Sequence, residues 1–376
     1  MRESEIKFVK IPEFILSSGK KIKNVEVAYE THGTLDELKS NVILVFHALS
    51  GSAHISGTNS AFSENNSFWT DDCHLGWWDS FVGENKPIDS NKNFVICMNI
   101  LGGCYGTTGP NSINSETGKP YGSSFPDISV EDMVRVQKKV LDILGVKKVK
   151  CVLGSSLGGY MALEFSFLFP NFTDKSVIIA SAAKTSSLNK LHNFEQILAI
   201  ENDSNFSNGD YYFSQKPTRG LMLARMIAAK SYVDIDTIAM RAREEIADSN
   251  DYDYCYKLNH HIESYMFHQS EKFTKRFDAN TYLKICKAIQ DFDIGKKYGN
   301  GNLKNAFSKI TDSSLKFLVV TIDSDVCFYP SEQREIVNIL HETAIDCTYM
   351  VVSSEKGHDS FLLEPEKYGF LKQFIG

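Results

Sequence analysis

The amino-acid sequence predicts an α/β architecture: a doubly wound, mostly parallel sheet with helices on both faces. Two observations carry that expectation. Short runs rich in Val and Ile recur with few polar residues in them, the pattern of strands buried on both faces. Between them lie segments whose apolar residues recur at helical spacing. A third observation refines it. The alternation lapses after about residue 183 and resumes near 315, as an insertion between two parts of one sheet would make it do.

The elements follow in order. NVEVAYE (24–30) alternates like a half-buried strand, whereas NVILVFHA (41–48), NFVICMN (93–99), VKCVLG (149–154), KSVIIAS (175–181), LKFLVVTI (315–322) and DCTYMVVS (346–353) read as strands buried on both faces. The strongest helix signal is 129–145, where Ser129 and Asp132 form a capping arrangement. There Met133, Val136, Val140, Leu141 and Leu144 share one stripe, and Gly145 closes it. Helices are also expected over 157–169, ending before Pro170, and over 331–342 and 364–374. The lapse holds helix-like pieces, 220–233 and 278–292, and polar stretches such as ENDSNFSNGD (201–210). The expected division is therefore a core of 1–182 and 306–376 with a helical insertion at 183–305.

Composition narrows the function classes. The chain has 376 residues, 42% hydrophobic and 23% charged, ample for a large core. A net charge of -7 argues against nucleic acid or an anionic membrane surface as partner. The first ten residues are charge-rich without an apolar h-region, and no uncharged apolar run is long enough to span a bilayer, so a cytoplasmic location is expected. Eight cysteines without a CxxC pair read as reduced thiols, and no metal-ligand spacing is present, so no metal is expected.

The chemistry centres on Gly154-Ser155-Ser156-Leu157-Gly158, a G-x-S-x-G pattern between an apolar strand and a helix-like run. That turn would hold Ser156 out as a nucleophile. A serine hydroxyl needs a base, so an acid and then a histidine should follow later strands. Asp323 and Asp325 follow LKFLVVTI, and spacing alone leaves both open; His358 follows the next strand. One oxyanion donor should be the N–H of Leu157, the other that of Leu49 or Ser50 in HALSGSAH. His47 and His54 in that stretch lack acid or thiol partners at ligand spacing and read as structural. Arg225 sits in an almost wholly apolar helix. It needs an anion, supplied either by an internal salt bridge or by a substrate carboxylate.

With these residues in view, the chain resembles the homoserine O-acetyltransferase family, the acyl-CoA-dependent branch of the α/β-hydrolase fold, over nearly its whole length. The resemblance rests on VAYETHGTLDELKSNVILVFHALSGSAH, GWWDSFVGENKPIDSNKNFVICMNILGGCYGTTGP, YGSSFPDISVEDMV, GSSLGGYMALEFSFLFP, RGLMLARM, RFDANTY and GHDSFLLE. It implies an α/β-hydrolase fold in which the insertion is a helical lid and commonly a homodimer interface. It implies ping-pong transfer of acetyl from acetyl-CoA, a co-substrate with no permanently bound cofactor, through Ser156 to L-homoserine. By matching positions, His358 is the base and Asp325 the favoured acid. Leu49 and Leu157 are the oxyanion donors. Arg225 and Tyr232 hold the amino acid's carboxylate, and Asp359 its amino group. The chain departs from the family at Ser155 and Leu157, where Gly-Ser-Met is usual. It departs again at Val326-Cys327 for Trp-Leu and at Ile197-Leu198 for Arg-Gln. Relatives with this fold use succinyl-CoA, or serine, so donor and acceptor stay open. A hydrolase with the same triad and a non-catalytic binding protein are the rival classes.

Overall fold

One eight-stranded sheet organises the chain, in the order β1-β2-β6-β3-β7-β8-β9-β10. The computed structural model describes residues 3–242, 256–311 and 313–376; Cys255 and part of the expected insertion lie outside them. The strands are β1 (Lys7–Ile15), β2 (Lys21–His32), β3 (Val42–Phe46), β6 (Phe94–Met98), β7 (Val149–Ser155), β8 (Thr173–Ile179), β9 (Lys316–Ile322) and β10 (Cys347–Val352). Two-residue strands β4 (Val82–Gly83) and β5 (Ile88–Asp89) pair separately. From β6 through β10 all pairings are parallel, and only β1–β2 and β2–β6 are antiparallel. The C-terminal ends of β3, β7, β8, β9 and β10 therefore share one edge, where such sheets bind ligands.

Strand β3 shows why these runs are strands. Val42, Leu44 and Phe46 pack into one apolar layer and Ile43 and Val45 into the other, all fully buried. Burying each such side chain contributes about 1.5–3 kcal/mol, more than the roughly 1 kcal/mol span of β-propensity. Two-sided burial, not propensity, thus holds the strand. One layer is completed by α1 (Val130–Ile143), α2 (Leu157–Leu168) and α10 (Pro330–Glu342), the other by residues of α11 (Ser360–Leu363) and α12 (Phe370–Ile375). Ser129 caps α1 with Asp132 in a reciprocal capping box.

Between Ile179 and Lys316 the described elements are helical: α3 (Ser187–Glu201), α4 (Thr218–Tyr232), α5 (Ile235–Ala242), α6 (His261–Arg276), α7 (Ala279–Gln290), α8 (Ile294–Gly299) and α9 (Leu303–Phe307), with short 3-10 turns. They are tied back to the sheet by buried polar contacts. Glu164 on α2 accepts hydrogen bonds from Lys297 and from Tyr298 of α8, the latter at 2.7 Å.

Three differences from the sequence expectations have simple causes. Strand β1 is not anticipated, because Lys7, Lys10, Glu13 and Pro12 break the apolar pattern; an edge strand tolerates both the charges and the proline. Strand β10 is not buried on both faces: as the opposite edge it leaves Thr348 and Val351 exposed. The helix expected over 364–374 is broken at Gly369 into a 3-10 turn, Pro365–Tyr368, and α12. Among the described residues no helix is long and apolar enough to cross a membrane.

The turn after β7 is the tightest packing in the sheet. A Cβ on Gly154 would strike the Gly158 carbonyl, and one on Gly158 would strike the carbonyl of Phe46 in β3. Neither neighbour is a flexible side chain. Gly158→Ala is expected to lower stability by about 1–3 kcal/mol, read as a shifted denaturant midpoint. A midpoint equal to wild type would show that the elbow can open.

Candidate active site

Ser156 stands at the start of α2 with φ 56° and ψ −123°, a backbone conformation that costs about 1–3 kcal/mol and is kept only where its surroundings enforce it. Two hydrogen bonds enforce it. The Ser156 N–H donates to the Ile179 carbonyl of β8 at 3.0 Å, and the Ser156 carbonyl accepts from the Ser181 hydroxyl at 2.8 Å. The side chain is thereby lifted off the end of β7.

The acid and the base meet at the same edge. Nδ1 of His358 lies 2.7 Å from Oδ2 of Asp325, both buried. Oδ1 of Asp325 accepts from the backbone N–H groups of Cys327 and Phe328 at 2.8 and 2.9 Å, which fixes the carboxylate. Asp323, the competing acid, points elsewhere: it is exposed and accepts from the Ser354 N–H at 3.0 Å. The imidazole is packed by Phe328, Phe361 and Tyr232, with ring centroids 5.4, 5.1 and 6.1 Å away. Burial works to lower the His358 pKa, but the Asp325 carboxylate beside it outweighs that and raises it above the ordinary value. Donation from Nδ1 to Asp325 leaves Nε2 as the basic nitrogen. Among the described residues that buried atom has no hydrogen-bond partner, so the Ser156 hydroxyl is at the same sheet edge but not bonded to it. Such contacts commonly tighten only around substrate.

The loop after β3 packs against this elbow, since the site of a Gly158 Cβ lies 3.2 Å from the His47 carbonyl. Neither the Leu49 nor the Leu157 N–H donates to a described protein acceptor. His47 shapes the approach to Leu49: its Nδ1 is 2.7 Å from the Ala48 carbonyl and its Nε2 accepts from the Ile100 N–H at 3.2 Å. Burial pushes its pKa down to about 4, which keeps it neutral. The far end of the loop is held by a buried group that sequence reasoning missed. Glu30 accepts from His54 at 2.7 Å and pairs with His32. Burial raises the Glu30 carboxyl, but the two histidines outweigh it and hold it below its usual range. The available signal was a glutamate at an inward position of an alternating strand.

A cavity of about 300 Å³ adjoins the base, lined by Arg225, Tyr232, Arg241, Phe273, Arg276 and Asp359 among others. Tyr232 and Asp359 connect it to His358, one by ring contact and one as chain neighbour. The Arg225 guanidinium lies 5.0 Å from the Tyr232 ring. The internal salt bridge considered for Arg225 is not formed among the described residues, whose ion pairs include Arg135 and Lys272 instead. Burial raises the Asp359 carboxyl above its usual range, opposed by His358, Arg225 and Arg241. Arg276, which sequence reasoning assigned no role, also reaches this cavity.

A strained serine after a parallel strand, with an Asp–His pair from two later strands, defines an α/β-hydrolase, and a family model of the alpha/beta hydrolase fold matches residues 41–365. A homoserine O-acetyltransferase of Methanococcus vannielii is 42% identical, over 96% of this chain and 70% of its own. A homoserine O-succinyltransferase of Saccharophagus degradans is also 42% identical, over 93% of this chain and 88% of its own. The crystal structure of esterase E22 superposes with a TM-score of 0.87 at 28% identity, covering 100% of both chains. The chain belongs to the homoserine O-acetyltransferase family of acyltransferases.

The geometry separates the two aspartates by function. Asp325→Asn is expected to slow acyl-enzyme formation about 10³- to 10⁴-fold, and Asp323→Asn by no more than a few-fold. If neutral His358 is the base, its raised pKa is expected to put the acid limb of the wild-type pH profile above the ordinary histidine value of 6.5. Removing the Asp325 charge moves that limb to lower pH. Stopped-flow CoA release across pH measures both effects, and an acid limb that stays in place would exclude Asp325 as the partner of the base.

Proposed function

We propose that this protein is a homoserine O-acetyltransferase that works by ping-pong transfer. His358 takes the proton of Ser156 as its oxygen attacks the thioester of acetyl-CoA. The N–H groups of Leu49 and Leu157 receive the developing oxyanion. The C–S bond breaks, His358 protonates the CoA thiolate, and acetyl-Ser156 remains. L-homoserine then enters with its carboxylate on Arg225 and Tyr232 and its ammonium at Asp359. His358 takes the proton of its hydroxyl, which attacks the acyl-enzyme; O-acetyl-homoserine leaves and Ser156 regains its proton. Asp325 holds the imidazole tautomer and balances its charge throughout.

One observation carries this reading: a cavity beside the base offers groups of opposite charge, Arg225 and Asp359, to a zwitterion. Fixing both ends of the acceptor gives its hydroxyl an advantage over water. The 42% identity to the Methanococcus vannielii relative over 96% of the chain supports acetyl transfer to homoserine. Seven described cysteines are free thiols, which suits work in the cytoplasm. The likeness to esterase E22 favours a second reading, hydrolysis by the same triad.

CoA release from acetyl-CoA, with and without homoserine, separates the two. Transfer predicts a single-turnover burst without homoserine and sustained turnover with it, with O-acetyl-homoserine seen by mass spectrometry. Sustained release that ignores homoserine would establish hydrolysis. Ser156→Ala is expected to lower either activity about 10⁴- to 10⁶-fold.

The helices at 183–305 would form the lid over a core of 1–182 and 306–376, and their outer surface a homodimer face. Helix α3 exposes Leu188, Leu191, Phe194 and Leu198 along one side, and α4 exposes Leu223. A groove of about 1170 Å³ runs beside them, lined by Met222, Met226 and Phe267 among others. So much contiguous apolar surface is unusual on a monomer. Leu191→Asp with Phe194→Asp is expected to convert the dimer to monomer in light scattering; a wild-type protein already monomeric at micromolar concentration would remove this interface.

A further inference from the structure

Two guanidinium groups approach one aromatic ring in the cavity beside the base. The Arg225 guanidinium carbon lies 4.7 Å from the Phe273 ring centroid, and that of Arg276 lies 5.1 Å from it. Cations gathered at one ring repel each other, and an anion bound by both relieves that repulsion. Among the described residues the charges lining the cavity are Arg225, Arg241, Lys272, Arg276, Asp72 and Asp359. Lys272 is already paired with Asp72 at 3.1 Å. That leaves three guanidinium groups against Asp359 alone, and among the described residues neither Arg225 nor Arg276 forms an ion pair.

Arg276 is also held in place. Its NH1 donates to the Ser50 carbonyl at 3.3 Å and to the Tyr105 hydroxyl at 3.1 Å, and Tyr105 donates back to the Arg276 carbonyl at 2.5 Å. One nitrogen is thus spent on two loops of the sheet edge. Nε and NH2 donate to no described residue. A planar fork fixed by one arm, with the other arm open, loses little side-chain entropy on meeting a carboxylate and offers it two parallel donors.

We infer that Arg276 is a second anchor for the acceptor's carboxylate, which the guanidinium groups of Arg225 and Arg276, both gathered at the Phe273 ring, hold together. This rests on the acceptor being an amino acid, as proposed above. Because Arg276 also touches Ser50, next to the oxyanion donor Leu49, a purely structural role must be told apart from an anchoring one. The separation comes from an acceptor without the carboxylate, 3-aminopropan-1-ol, which keeps homoserine's hydroxyl and amine.

Wild type, Arg276→Gln and Arg276→Lys are compared by the CoA burst from acetyl-CoA alone and by kcat/KM for each acceptor. Anchoring predicts that Arg276→Gln keeps the burst and loses about 10- to 100-fold in kcat/KM for homoserine, mostly through KM. Its kcat/KM for 3-aminopropan-1-ol stays within a few-fold, and Arg276→Lys recovers part of the loss. Equal losses for both acceptors, an unchanged homoserine KM, or a burst abolished in both variants each overturn the inference, because they place Arg276 in the frame of the oxyanion loop instead. Absence of a burst in wild type is a separate result: it refutes acyl transfer through Ser156 itself, and this inference falls with it.

Discussion

Everything at the sheet edge depends on how closely the turn after β7 approaches β3. Gly154 and Gly158 leave no room for a side chain between the turn, its own helix and the Phe46 carbonyl. Within that close packing Ser156 takes a positive-φ backbone conformation, held by its hydrogen bonds to Ile179 and Ser181. The strain costs about 1–3 kcal/mol, and a sheet buried on both faces can carry it. A looser turn would let the serine relax into the helix.

Two histidines near that edge illustrate how environment assigns roles. His358 and His47 are both buried, and burial alone lowers both pKa values. His47 meets backbone groups and the Asn99 amide but no charged partner, and burial drives it down to about 4, so it is neutral. His358 faces Asp325, and the carboxylate reverses the direction of the shift. The difference is one charged neighbour, which suits one imidazole to the proposed role of base and leaves the other neutral.

The cavity draws on both parts of the chain. Asp359 and the His358–Asp325 pair come from loops after the last strands, whereas Arg225, Tyr232, Phe273 and Arg276 come from α4 and α6. The helices therefore supply the cations and the sheet edge the anion. Contacts such as Tyr105 with Arg276, and Glu164 with Tyr298, fix that alignment. Burying Glu164 beside Lys297 is tolerable because both hydrogen bonds to its carboxylate are made.

The sequence by itself determined the strands of the sheet's interior and the elbow, because two-sided burial and steric exclusion at glycine write themselves into composition over a few adjacent residues. It also placed Ser156, Asp325 and His358 in a chain order that a parallel sheet folds to one edge. Spacing alone left Asp323 and Asp325 open and the family resemblance favoured Asp325; the N–H groups of Cys327 and Phe328 show physically which carboxylate turns inward. The edge strands were misjudged or missed, because an edge obeys half the burial rule. Glu30, Tyr105 and Arg276 became visible only in three dimensions. Their contacts to His54, Arg276 and Ser50 span 24 or more residues of sequence, and a contact at that range cannot be read from local spacing, even where the inward position of Glu30 can.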